Sequence, residues 1–153
     1  MHIRTQNGKQ YVLCAWRRRY VRLTPEEHVR QSVLRVLETN YGYPHGLIGV
    51  EVSIEVAGLK KRCDAVIYNQ QMQPQMLIEF KAETVALTQQ VFDQAAVYNH
   101  RIKVPFLMLS NGRDTIIAEV RDNEYQFLDY IPNYLYLAKQ SDFCKIKKNN
   151  LHE

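Results

Sequence analysis

Met76-Leu77-Ile78-Glu79-Phe80-Lys81-Ala82 is the stretch that decides the fold. Met76, Ile78 and Phe80 are apolar on one parity and Leu77 on the other. A strand that is apolar on both faces is covered on both faces. Glu79 and Lys81 sit inside this run and share a parity, roughly 7 Å apart along the strand. Charged side chains are seldom placed among apolar ones without a partner or a metal. Asp64 lies fifteen residues upstream, on the strand before.

Working outward, residues 47–56 alternate, with Val50, Val52, Ile54 and Val56 set against Glu51, Ser53 and Glu55. This predicts a half-buried strand. Residues 57–60 read as a turn, 62–68 as a second strand, 69–75 as a polar loop holding Pro74, and 76–82 as the third strand. Residues 88–101 predict a helix with Val91, Ala95 and Tyr98 on one stripe and Phe92 and Ala96 beside it. Residues 105–110 are a buried strand, Asn111-Gly112 a turn, and 115–120 the returning strand.

Upstream, Thr24-Pro25-Glu26-Glu27 has the marks of a helix start. Thr24 caps, Pro25 suits the first helical position, and Glu27 stands where a capping box places its acid. Val29, Val33, Val36 and Leu37 follow at helical spacing. Gly42, Pro44 and Gly46 then stop the helix. The apolar run 11–16 reads as an early strand, an arm or a docking segment. Past Tyr125 the pattern weakens, with a short helix expected over 131–139 and a frayed basic end. The expected fold class is α/β, a mixed sheet flanked by helices. One domain is expected over 1–153, with a core at about 24–120, an N-terminal arm or strand at 1–23 and a C-terminal extension at 121–153.

A chain of 153 residues can bury a real core. No window is apolar enough for a membrane span, and the first residues lack the apolar centre of a signal peptide, so a cytoplasmic protein is expected. Three widely spaced cysteines (Cys14, Cys63, Cys144) make neither a disulfide framework nor a zinc site. Net charge is +4, which suits a polyanion without demanding one. The cations are grouped: Arg17, Arg18, Arg19 and Arg22; Lys60, Lys61 and Arg62; Lys145, Lys147 and Lys148. A basic run is ordinarily a solvated surface. Three of them, one abutting Asp64, lean toward nucleic acid, with Lys60, Lys61 and Arg62 as DNA-contact candidates.

The chemistry expected of Asp64, Glu79 and Lys81 is phosphodiester hydrolysis. Mg²⁺ takes one or two carboxylates and fills its other positions with water and phosphate oxygen. Asp64 and Glu79 could supply the carboxylates and the Phe80 carbonyl a further ligand. Lys81 could orient or deprotonate the attacking water. The plainer reading of Glu-x-Lys is a solvated ion pair at a strand edge. Glu26 falls in register with Val29 and Val33 and is the candidate third carboxylate, while Glu27 suits the cap. Gln94 and Tyr98, four apart on the second helix, could contact phosphate or the metal's waters. Read plainly, they are a core tyrosine with a glutamine at its edge.

These residues carry a resemblance. Thr24-Pro25-Glu26-Glu27-His28-Val29-Arg30-Gln31, Tyr41-Gly42-Tyr43-Pro44, Arg62-Cys63-Asp64, Leu77-Ile78-Glu79-Phe80-Lys81-Ala82, Leu87-Thr88-Gln89-Gln90-Val91-Phe92-Asp93-Gln94, Tyr98-Asn99 and Ser110-Asn111-Gly112 together resemble the N-terminal nuclease domain of type I restriction enzyme R subunits, in the PD-(D/E)xK superfamily. The resemblance spans about two-thirds of the chain. It implies a restriction-endonuclease-like core, with metal-binding and catalytic roles at Asp64, Glu79 and Lys81. It also implies a helical carboxylate at Glu26 and a Gln-x-x-x-Tyr pair at Gln94 and Tyr98. Cys63 stands at the position the superfamily name gives to Pro.

The expected function is a Mg²⁺-dependent DNA endonuclease of restriction or repair type, with Mn²⁺ as a substitute ion. It is expected to lack a helicase motor of its own and to act alone or with other restriction or helicase subunits. The alternatives are a catalytically silent nuclease fold that binds DNA or docks to a larger complex, and a purely structural protein whose acids do not converge.

Overall fold

The computed structural model describes residues 1–139. Cys144, the basic tail with Lys145, Lys147 and Lys148, and the end of the expected C-terminal extension, residues 140–153, lie outside the described residues.

Two sheets are present among the described residues. The first is antiparallel, with strands β1 (Ile3–Gln6), β2 (Lys9–Cys14) and β3 (Arg19–Arg22) in that order. Of the three readings of 11–16, the strand is the one observed, but it ends at Cys14, with Ala15 and Trp16 in the turn that leads to β3. β1 escaped the sequence reading because all four of its residues are exposed and no apolar alternation marks them.

The second sheet has six strands in chain order: β4 (Ile48–Val56), β5 (Leu59–Tyr68), β6 (Pro74–Phe80), β7 (Phe106–Ser110), β8 (Thr115–Arg121) and β9 (Glu124–Leu128). Helix α1 (Pro25–Tyr41) precedes it, and helix α2 (Gln89–Ile102) joins β6 to β7. That crossover makes β6 and β7 parallel, and every other neighbouring pair is antiparallel. The expected mixed sheet is therefore observed. β9 was missed because Glu124, Gln126 and Phe127 are exposed and blur the alternation. Residues 134–139 are helical, and Pro74 begins β6 instead of lying in a loop.

The β6 run is covered on both sides, as its sequence demands. Met76, Ile78 and Phe80 join Val29, Leu34 and Leu37 of α1 in one core. Leu77 joins Phe92, Ala95 and Ile102 of α2 in the other.

Both helices bury a stripe displaced from the one the apolar spacing gives. α1 buries Glu27, Arg30 and Gln31 with Val29, Leu34 and Leu37, while Val36 is 42% exposed. Polar residues enter this interior because they pair with one another, Arg30 and Gln31 with Glu27. α2 buries Phe92, Ala95, Asn99 and Ile102 and leaves Tyr98 48% exposed, so Tyr98 is not a core residue. Asn99 takes an inward place because its amide bonds Val104 in both directions, closing the C-terminus of α2.

β4 and β5 contain a feature no periodicity announces. Val50 and Ala65 belong to the α1 core, whereas Val52, Ile54 and Cys63 belong to the α2 cluster. In a regular strand residues two apart share a face. Both strands therefore roll over between these pairs, at Glu51 and Asp64. Glu51 has φ 52°, a left-handed conformation uncommon for a residue with a Cβ. The ladder between β5 and β6 ends at Ala65 and Ile78, at the same level. Asp64 and Glu79 thus stand where the two strands part.

Candidate active site

Asp64 is fixed at this fork by two contacts. Its Oδ2 accepts a 2.8 Å hydrogen bond from the Phe80 amide, across the gap where the ladder has stopped. Its backbone carbonyl accepts from Arg30 Nη1 of α1 at 3.2 Å. Lys81 lies one residue beyond β6, not within it as the sequence suggested, and its amide still reaches the Ser110 carbonyl at 2.9 Å. The ladder's direction is thereby kept through the Glu79-Phe80-Lys81 tripeptide.

Glu79 and Lys81 line one depression of about 440 Å³ with Lys61, Gln94 and Tyr98. Lys61 Nζ sits 4.2 Å above the centre of the Tyr98 ring, a cation–π contact that bridges β5 and α2. A second, tighter cavity of about 20 Å³ adjoins it and is lined by Asp64, Glu79, Lys61, Arg62 and Cys63 among others.

Glu26, in the first turn of α1, lines neither cavity but lies within reach of the same charges. Burial and the charge of Asp64 hold its carboxyl above the usual range, with Glu79 adding to the shift and Arg30 and Lys81 opposing it. Three carboxylates and a lysine are therefore within electrostatic reach of one another. Glu26 is nonetheless on the exposed side of α1 and not on its inward stripe. Burial pushes the Cys63 thiol up to about 11, with Asp64 and Glu79 adding to it against Lys61.

Glu27 is the inward acid, and its role is structural. Its amide donates to Thr24 Oγ1 at 3.0 Å, which is the expected cap. Its carboxylate does not complete a capping box. It receives Arg17, Arg30 at 3.3 Å and Gln31 at 3.3 Å. Arg17 and Arg30 also reach Glu51, at 3.4 Å and 3.3 Å, and Arg62 joins from the far side at 3.0 Å. Burial raises the Glu51 carboxyl, but Arg62, Arg30 and Arg17 outweigh it, and the net shift is downward.

This network corrects two expectations. Arg17 is a half-buried structural cation, not a free member of a basic surface run. Arg62 is held by Glu51, although its side chain remains 70% exposed. Sequence reading assigned Arg30 and Glu51 no role of their own beyond the resemblance and the strand alternation, since a lone arginine and a lone glutamate on amphipathic elements have no distinguishing spacing. Lys60 is exposed and lines neither cavity.

Against this network the site charges are uncommitted. Among the described residues, Glu26, Glu79, Lys81 and Lys61 make no ion pair or side-chain hydrogen bond. Hard oxygen donors facing a lysine fit a divalent cation such as Mg²⁺, which needs only one or two protein carboxylates. Among the described residues no three His, Cys, Asp or Glu side chains form a ready metal cage. A site completed by water and phosphate does not require one.

A sequence profile described as type I restriction enzyme R protein N terminus matches residues 25–132. The chain belongs to that family. Among solved structures, this R-protein N-terminal chain is similar to a fragment of an HsdR subunit of a type I restriction enzyme from Vibrio vulnificus YJ016. The TM-score is 0.56 and the identity 19%, over 76% of this chain and 25% of that one. The chain thus spans a quarter of that fragment's length. It is also similar to a protein from Anabaena variabilis ATCC 29413 assigned as a nuclease of DUF820, with TM-score 0.51 and 8% identity, over 89% of this chain and 87% of that one. Identities this low speak for the fold alone. No curated protein matches the chain. No helix among the described residues is long and apolar enough to cross a membrane.

Proposed function

We propose that this R-protein N-terminal domain is a divalent-metal-dependent DNA endonuclease module, working in the cytoplasm alone or with other restriction or helicase subunits. The observation that supports the reading is that Asp64, Glu79 and Lys81 line adjoining cavities where β5 and β6 part, with Glu79 and Lys81 making no ion pair or side-chain hydrogen bond among the described residues. Unpaired charges brought together cost stability, and function is the usual reason for keeping them.

Asp64 and Glu79 would hold Mg²⁺ or Mn²⁺, with the Phe80 carbonyl as a further ligand. Bound there, the ion would lower the pKa of a water and offset charge developing on phosphate. Asp64 is oriented for this by the Phe80 amide and Arg30. Lys81 would position the attacking water or take its proton, from the same side as Glu79. Glu26 would bind or orient through its carboxylate from the first turn of α1. Gln94 and Tyr98 would contact phosphate, with Tyr98 holding Lys61 over the strand. Lys60, Lys61 and Arg62 would grip the backbone without reading sequence.

A second reading, a silent nuclease fold that binds DNA or docks to a larger complex, is favoured by the lack of a preformed three-ligand cage. Relaxation of supercoiled plasmid separates the two. Protein stripped with EDTA is given Mg²⁺ or Mn²⁺. Nicking that appears only with the ion supports the nuclease. DNA binding with no nicking under either ion supports the silent module.

A further inference from the structure

The N-terminal sheet carries an outer face that the cleft does not use. The register aligns Arg4 of β1, Tyr11 of β2 and Arg22 of β3 in one cross-strand row. Lys9, Leu13 and Tyr20 share that face by strand alternation. The opposite face buries Val12 and Cys14 completely, so it is the one packed on the body. Arg4, Lys9 and Arg22 are exposed, and Tyr11 and Tyr20 are half-buried.

The two arginines are not splayed at random. The Arg4 guanidinium lies 4.0 Å from the centre of the Tyr20 ring, and that of Arg22 lies 5.9 Å from the centre of Tyr11. Stacking fixes the plane of a guanidinium while leaving its five N–H donors free at the rim. Among the described residues neither arginine, nor Lys9, meets a carboxylate or makes a side-chain hydrogen bond. No Asp or Glu occurs among residues 1–25, which carry six Lys and Arg. Arg17 alone of these is neutralised, by Glu27 and Glu51.

We propose that this face is a second nucleic-acid surface, which holds the phosphate backbone of DNA outside the cleft through Arg4, Arg22 and Lys9. The inference rests on the reading of the chain as a DNA-acting module, but not on catalysis. Planar, pre-oriented guanidiniums suit bidentate contact with phosphate oxygens. Arg4 already covers the Tyr20 ring at 4.0 Å, and Tyr11 is half-buried, so the face grips the backbone more than it stacks bases. Its position suits a flanking contact. Arg22 precedes the Thr24 cap of α1 by two residues and Glu26 by four, and Arg17 ties the β2–β3 turn to Glu27.

The test is fluorescence anisotropy of a labelled 30-base-pair duplex titrated with the full chain in EDTA, at several salt concentrations. Each phosphate contact contributes about 0.9 to the slope of log K against log salt on duplex DNA. Arg4→Gln with Arg22→Gln lowers the slope by about 1.8 and weakens binding at low salt. Tyr11→Leu with Tyr20→Leu weakens binding about twofold to fivefold per ring at unchanged slope, because the charges remain. Parental affinity and slope in the double arginine variant, folded by circular dichroism, overturn the inference. Displacement by poly-glutamate as readily as by unlabelled duplex also overturns it, since the face would then take acidic protein. A parent protein that never nicks plasmid yet shows the slope loss keeps this inference and removes the nuclease reading. One that nicks yet shows no slope loss does the reverse.

Discussion

Arg30 Nη1 donates a 3.2 Å hydrogen bond to the backbone carbonyl of Asp64, from helix to strand, at the level where β5 leaves β6. The same guanidinium meets Glu27 and Glu51. A carbonyl released from its ladder needs another donor, and a buried arginine needs its acids. Arg30→Met should therefore destabilise the domain by on the order of 3 kcal/mol, since it leaves Glu27 with one cation and strips a donor from Asp64. Urea unfolding checks this. A loss under about 1 kcal/mol would show that the network does not hold the fork.

Asp64 allows its fold role to be separated from its chemical one. An asparagine oxygen can still accept the Phe80 amide, whereas alanine cannot. Asp64→Asn should stay within about 1 kcal/mol of the parent in stability while losing cleavage. Asp64→Ala should cost about 1–2 kcal/mol more, because the Phe80 amide loses its acceptor. Equal melting temperatures for the two variants would deny the hydrogen bond its structural part.

Glu51 predicts an acid dependence. Its folded carboxyl is held below the ordinary 4.5, so the folded state gives up this proton more readily than the unfolded chain. The resulting stability is fully present above the unfolded value and is lost as pH falls through the folded one. Glu51→Gln should thus be less stable than the parent at pH 7, by on the order of 1 kcal/mol. The gap should narrow as pH falls below the ordinary 4.5 and close as it passes through the lower folded value. Thermal unfolding of both proteins against pH measures it. A gap independent of pH would mean that the three arginines do not act through the charge of Glu51.

Tyr98 is read as the platform for Lys61. Tyr98→Phe keeps a ring under the ammonium and Tyr98→Leu does not. The leucine variant should lose about twofold to fivefold in kcat/KM on DNA through Lys61, beyond any loss shared with phenylalanine. If phenylalanine costs as much as leucine, the hydroxyl is the working group, and the Lys61 contact is incidental.

The sequence announced what depends on apolar pattern. The β6 run called for cover on both faces, and α1 and α2 supply it. Thr24 and Pro25 marked the start of α1 to the residue. The parts it concealed depend on polar groups that satisfy one another. Glu27, Arg30 and Gln31 occupy the inward stripe of α1 because they are paired there, and a stripe drawn through Val33 and Val36 misses them. Asn99 displaced Tyr98 from the interior of α2 for a similar reason. The roll of β4 and β5 at Glu51 and Asp64 leaves alternation intact on either side, so no periodicity reveals it. Within the site, Asp64, Glu79 and Lys81 could be named from spacing, but Arg30 and Glu51, which set the fork, could not.

The central claim is that Glu79 and Lys81, unpaired on one side of β6, act on a phosphodiester. Single-turnover cleavage of a labelled duplex with saturating Mg²⁺ tests it most directly, comparing the parent with Glu79→Gln and Lys81→Ala, each shown to be folded by its melting temperature. The account predicts a rate loss of about a hundredfold or more in each variant. Cleavage at the parental rate in either folded variant would contradict it.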